Sequence, residues 1–283
     1  MCVSSNNASV GQPLRRTAGE MLRDWRHARG QTQLELASQA QVSTRHLSCL
    51  ESDKAEPSRV MLMRLARHLE LSLRDTNLLL MAGGFAPMFP ERPWEDPSLA
   101  AAREVVDSVL RASEPSPAFT VDRHWNMIAR NRMTEVLLGQ VAPRLLHAPI
   151  NAFRLALDPE GLAPQILNLP QWRSYIFTRL ARQIDLTADP VLIRLLHELQ
   201  GLAGHSDTDD EPSGHSALVM PLRLATPWGP LTLINTVTMF GTPLEVSLSE
   251  LTLEVLYPAD AATRSALETI WRAQSDFQGH GIQ

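Results

Sequence analysis

The 283-residue sequence holds only two cysteines, Cys2 and Cys49, far apart and outside any CxxC or Cys/His cluster. That excludes a disulfide framework or a zinc finger as the organising device and suits a reducing compartment. Long apolar runs are also lacking. The longest charge-free stretch, 224–244, carries Thr226, Thr232, Asn235, Thr236 and Thr238 and three prolines, too polar and too interrupted to span a bilayer. Residues 1–13 contain no apolar h-region, so no secretory leader and no membrane partner are expected, and the protein is placed in the cytoplasm. GxSxG, HExxH, Walker and GxGxxG patterns are missing, so neither an enzyme nor a bound cofactor is expected. His205 and His215 bracket the acidic run Asp207–Glu211, which reads as a solvated loop and not as a metal site.

What is present is a core-forming composition, 44% hydrophobic and 20% charged, over a length that suits two domains at about 100–200 residues each. The charge is unevenly divided. Residues 14–81 hold 11 basic side chains against 8 acidic ones, and the rest of the chain holds 15 against 23. A small basic module on a larger acidic body suits a head that binds a polyanion, because affinity for nucleic acid rests on Lys and Arg neutralising phosphates.

Between Ala18 and Ala82 the pattern is one of short helices. Met21, Leu22 and Trp25 recur at helical spacing, and Gly30 can take the left-handed conformation that stops the first helix. Thr32 with Glu35 forms a capping box for a second helix, with Leu34, Leu36, Ala37 and Ala40 expected on its buried side. Val42 is an apolar plug in the turn, and Ser43 caps a third helix whose Leu47 and Leu50 face the core. Pro57–Ser58 restarts the chain for a fourth helix with a wide stripe, Val60, Met61, Leu62, Leu65, Ala66 and Leu69. A fifth runs from about Leu73 to Met81 and closes at Gly83–Gly84. The tight second and third helices form a helix-turn-helix inside an all-α, lambda-repressor-like domain, residues 14–84.

The run from Gln33 to Glu51, QLELASQAQVSTRHLSCLE, followed by Pro57–Ser58, resembles the XRE family of helix-turn-helix regulators. The resemblance implies double-stranded DNA as partner, with the third helix in the major groove and Ser43, Thr44, Arg45, Ser48 and Cys49 on its DNA side. Arg45 is the best base reader, since a guanidinium reaches O6 and N7 of guanine with two hydrogen bonds; a contact to phosphate alone is the other reading. Gln33 matches the family's phosphate-clamping glutamine, Arg59 lies where members approach phosphate or the minor groove, and Lys54 is a further candidate. Arg26 and Glu51 resemble a structural pair between the first and third helices. Where many members have Gly in the turn this chain has Gln41, which must tolerate or avoid a left-handed backbone. Cys49 would meet a thymine methyl or face an unread base. An interaction adaptor of the same fold that has lost DNA binding is the alternative, and retention of Gln33, Arg45 and Arg59 argues against it.

Residues 85–97 are proline-rich and read as an ordered linker. A second domain, 98–276, opens with a helix from about Ser98 to Ala112 that buries Leu99, Ala102, Val105, Val106, Val109 and Leu110, against its own domain or against a second copy in a homodimer. Strand, Asp-centred turn and strand follow over 117–131, and Asn131 caps a helix. Helices at 151–157, 171–185 and 190–202, a polar loop at 204–214, strands at 216–225, 230–241 and 248–257, and a helix from Ala259 to Gln274 complete an α+β sheet with helices on one face.

Gly84–Pro87, Pro90–Pro93, Val121–Asn126, Asp158–Gly161, Phe240–Pro243 and Pro258–Asp260, in this order, resemble the MmyB-like regulators, XRE proteins with a PAS-like ligand-binding domain. The resemblance implies a small hydrophobic ligand, such as a fatty acid, enclosed between sheet and helices. Trp125, Met127, Trp172, Ile176, Val237 and Met239 are the candidate walls, and Arg130, Arg173 or Arg179 the partner of a ligand carboxylate.

Overall fold

The computed structural model describes residues 16–202, 220–240 and 245–279. They fall into two compact units, 16–91 with 245–246, and 92–240 with 247–279. The 204–214 loop with His205 and His215, the start of the strand expected at 216, and the segment from Gly241 to Pro243 lie outside the described residues, as does Cys2. Among the described residues no helix is long and apolar enough to cross a membrane.

The first unit is five helices: α1 (Ala18–Ala28), α2 (Gln33–Gln39), α3 (Thr44–Glu51), α4 (Arg59–His68) and α5 (Leu73–Ala82). Every one opens on a hydroxyl. Thr17, Thr32, Ser43, Ser58 and Ser72 each accept a backbone N–H three residues on, and Thr17 with Glu20 and Thr32 with Glu35 are full capping boxes. Each cap satisfies a donor the helix cannot, at about 1 kcal/mol. Leu22, Leu36, Leu47, Leu65 and Leu79 are wholly buried in the shared core, each contributing roughly 1.5–3 kcal/mol.

Gly30, at φ +64°, ends α1 as expected, and Gln41 tolerates the left-handed region, at φ +53°. That strain costs of order 1–3 kcal/mol. It is offset where Val42 donates its N–H to the Ala37 carbonyl at 2.9 Å and lays its side chain on the core. Gly19 serves a close approach: a Cβ there would stand 2.2 Å from the Leu50 carbonyl oxygen, so only glycine lets α1 meet the end of α3. Two apolar positions expected in the core are exposed, Leu34 at 67% and Val60 at 69%. At about 100° per residue, Leu34 stands about 200° around α2 from Leu36, and Val60 about 200° around α4 from Leu62.

The chain continues through α6 (Ala100–Ala112), β1 (Ala118–Val121), β2 (Met127–Arg130), α7 (Arg132–Leu137), α8 (Ala152–Leu157), α9 (Leu169–Thr187), α10 (Pro190–Leu202), β3 (Pro221–Thr226), β4 (Gly229–Met239), α11 (Val246–Ser249), β5 (Thr252–Pro258) and α12 (Ala261–Gly279). The sheet is antiparallel in the order β2-β1-β5-β4-β3, and α7, α8, α9 and α10 lie between β2 and β3 in the chain. This is the α+β, PAS-like plan. Asn131 locks its entry: Oδ1 accepts the Ala118 and Thr134 N–H groups, and Nδ2 donates to the Ser116 carbonyl at 2.8 Å.

The helical cover lies on both faces of the sheet, not on one. Leu222, Leu224, Leu231, Leu233 and Leu256 join the core with α8, α9, α10 and α12, while Leu253 and Val255, in opposite phase, meet Val106 and Leu110 of α6. The stripe of α6 over the sheet is narrower than expected, leaving Val105 and Val109 exposed. The strand expected from 248 starts at Thr252. The preceding Val-Ser-Leu-Ser alternates like a strand but coils as α11, because a window that short does not separate the two periods.

Candidate nucleic-acid interface and ligand cavity

In α3 the buried Leu47 and Leu50 fix which side faces out. Arg45 and Ser48 are exposed, as is Ser43 at the cap, and Thr44 and Cys49 are half-buried. Cys49 is a free thiol. Lys54 is exposed in the turn after α3, and Arg59, exposed, is the first residue of α4. Among the described residues the side chains of Arg45, Lys54 and Arg59 have no ion-pair or hydrogen-bond partner. Three cations therefore stand free around the third helix and its exit.

At the end of α3 lies a polar knot. Arg26 donates Nε to Glu51 Oε1 at 2.6 Å, Nη2 to Oε2 at 2.8 Å and Nη1 to the Gln31 carbonyl at 2.8 Å. Both partners are buried, 6% and 3% exposed. Gln33 Nε2 donates to the same Glu51 Oε2 at 2.8 Å, which leaves its second N–H for a partner outside. Burial pushes the Glu51 carboxyl up, but the hydrogen bonds from Arg26 and Gln33 outweigh it and hold the group below the usual glutamate range. The same pairing raises Arg26 against the opposing effect of burial.

The second site is built by a strained turn. Asp122 Oδ1 accepts the N–H groups of His124 and Asn126, both at 2.8 Å, which holds Trp125 at φ +68°. Its indole stacks on Phe153 with centroids 4.0 Å apart and donates Nε1 to Gln183 at 2.9 Å. A cavity of about 90 Å³ adjoins it, walled by Trp125, Met127, Phe153, Trp172, Ile176 and Leu224. Arg179, also in the wall, lies with its Cζ 4.3 Å over the Trp125 ring and grips Glu254 in a fork, Nη2 to Oε1 at 2.7 Å and Nη1 to Oε2 at 3.2 Å. Asn235 Nδ2 donates to Glu254 Oε2 at 2.6 Å, and Asn235 Oδ1 is buried with no partner among the described residues. An acceptor left so costs about 1–3 kcal/mol. A larger hollow of about 660 Å³ beside Arg132, Glu135, Gln140 and Trp228 is open to solvent and encloses nothing.

A family model described as MmyB-like transcription regulator ligand binding domain matches residues 102–270, more than half of the chain, and one described as Helix-turn-helix matches residues 22–75. The chain belongs to the MmyB-like transcription regulators. It carries a helix-turn-helix beside the ligand-binding domain of that family, and neither matched family is an enzyme family. No curated protein matches. Among solved structures the chain is similar to an RNA-binding Light-Oxygen-Voltage receptor at 13% identity and a TM-score of 0.26, over 95% of this chain and 65% of that one. It thus spans just under two thirds of that receptor's length.

In this MmyB-like regulator four of the six expected wall residues, Trp125, Met127, Trp172 and Ile176, surround the cavity. Val237 and Met239 do not. They are 48% and 67% exposed at the far end of β4, in phase with the buried Leu231 and Leu233 but past the reach of the helices. Of the three arginines only Arg179 lines the cavity; Arg130 lies 3.5 Å from Glu135. Sequence reasoning missed Phe153, Asn235 and Glu254. Glu254 carried a signal: a carboxylate two residues from Leu256, in the middle of a strand apolar on both phases, needs a buried cation.

Proposed function

We propose that this MmyB-like regulator recognises a specific operator as a homodimer, and that a small hydrophobic ligand in the cavity sets that recognition. The observation that carries the reading is Arg45, exposed and unpaired on α3 while the opposite side of the helix is buried. A guanidinium so placed can grip one guanine edge with two hydrogen bonds. Ser48, Thr44 and Cys49 then lie along the groove. Gln33, Ser43, Lys54 and Arg59 meet the phosphates and set register. Two half-sites about 34 Å apart require two recognition helices, hence a dimer.

The walls around Trp125, Phe153, Trp172 and Ile176 suit the hydrocarbon part of a fatty-acid-like ligand. At about 90 Å³ the cavity is smaller than the roughly 300–1,000 Å³ of drug-sized sites. A long chain therefore enters only by displacing the surrounding helices. That displacement is the step by which binding would shift the spacing of the two DNA-binding heads.

The test is fluorescence anisotropy of the full-length protein on duplexes from the region flanking its own gene, against random duplexes, across a salt series. Affinity should fall steeply as salt rises, with the operator held roughly 10³-fold or more tighter than random DNA. Equal affinity for all duplexes, or none at low salt, overturns the reading.

A further inference from the structure

We infer that the ligand's head, a carboxylate, is held outside the cavity by Arg132, in the open hollow of about 660 Å³, with the hydrocarbon tail running past Leu137 into the cavity. This rests on the reading that the cavity is the ligand site. Inside the cavity a carboxylate finds no partner. The walls are almost wholly apolar, and burying an unpaired charge among them is costly. The one arginine in those walls, Arg179, already gives an N–H from each Nη to Glu254. The head therefore belongs where a free cation meets water.

The hollow supplies both. Arg132, half-buried at the start of α7, lies with its Cζ 5.4 Å over the Trp271 ring and gives an Nη2 N–H to the Gln274 carbonyl. Among the described residues no carboxylate pairs with its side chain: Glu114 accepts only its backbone N–H, and Glu135 lies 3.5 Å from Arg130. A guanidinium carries five N–H donors, so most of them remain for a fork on the two oxygens of a carboxylate. Glu135 is the one anion in the wall of the hollow, and it is exposed, so water and salt screen its repulsion. Leu137, the last residue of α7, lines the hollow and the cavity alike. Opposite it, Gln165 and Thr226 face the hollow while their neighbours Ile166 and Leu224 face the cavity. Leu224 and Thr226 are two apart on β3 and share one side of the strand. The two spaces thus share a wall, and the half-buried Leu137 is what a tail must displace to pass.

The experiment titrates the full-length protein at neutral pH with decanoate and with decanol, read by quenching of tryptophan fluorescence. Both should bind. In Arg132→Gln decanoate should weaken at least about tenfold, through loss of charge-assisted hydrogen bonds, while decanol stays within about threefold. Decanoate labelled at its carboxyl carbon and followed by NMR should titrate, when bound, below the midpoint of the free acid, because a cation stands beside it. Unchanged decanoate affinity in Arg132→Gln, or an equal loss of both probes, overturns the inference and leaves the cavity as a ligand site. Binding of decanoate alone, or of neither probe, overturns the cavity reading and the inference with it. If Arg132→Gln fails to fold, the bound carboxyl decides: a midpoint at or above that of the free acid overturns the inference.

Discussion

Gln33, the first residue of α2, rests its side-chain amide on Glu51, the last residue of α3, on the carboxylate oxygen that also takes Nη2 of Arg26 from α1. Three helices thus share one buried charge. Replacing Glu51 by Ala strands the Arg26 guanidinium and should cost about 3–5 kcal/mol, read as a lower urea midpoint. Gln33→Ala removes one hydrogen bond, about 1 kcal/mol. In the proposed interface it should weaken operator and random DNA by the same factor, because a phosphate contact carries no sequence.

The acid side of the stability profile follows from the same knot. Glu51 titrates below its ordinary value of 4.5 in the folded chain. Between the folded and ordinary values the unfolded chain binds the extra proton, so stability rises with pH there. The contribution is complete above about pH 4.5 and is lost as pH falls through the folded value. Urea midpoints measured from about pH 6 down to pH 3 should fall more steeply for the natural sequence than for Glu51→Gln. Parallel slopes would refute this.

Arg45 and Arg59 should fail differently. Arg45→Ala should lose about 1–3 kcal/mol on the operator and much less on random DNA, flattening the preference at one base pair. Arg59→Ala and Lys54→Ala should weaken both duplexes alike and lower the salt slope by about one each. An Arg45→Ala protein that loses equally on both makes that residue a phosphate contact.

The walls of the cavity separate from its misplaced candidates by stability. Ile176 is fully buried, and Ile176→Ala should cost about 2–5 kcal/mol. Met239 projects into solvent, and Met239→Ala should stay within about 0.5 kcal/mol. Urea denaturation followed by the tryptophan signal distinguishes them.

What was legible in the sequence was local chemistry. Thr32 with Glu35, Ser43 and Asn131 cap helices because a short polar side chain reaches a backbone N–H a few residues away, and no other part of the chain is needed to see it. The strand phase of β4 was legible as well. Its extent was not, since whether Val237 and Met239 are covered depends on where distant helices stop. The polar end of the cavity was least visible. Glu254 meets an arginine 75 residues away and an asparagine on the neighbouring strand, a pairing that only the fold creates.

The exposed valines of α6 bear on the dimer. Val106 and Leu110 hold the helix on its own sheet, which leaves Val105 and Val109 together on the outer side, one turn apart. Charged residues there should cost the folded subunit little, within about 0.5 kcal/mol, because neither valine is in its core. If a second copy covers them in the proposed homodimer, Val105→Glu with Val109→Glu buries two like charges against their copies and separates the subunits. Light scattering should then show a dimer for the natural sequence and a monomer of unchanged circular dichroism for the double variant. Operator binding should fall by far more than the affinity for a single half-site, since one head alone loses the second contact. A double variant that remains dimeric moves the interface elsewhere, and a monomeric natural protein at working concentration removes the dimer from the mechanism.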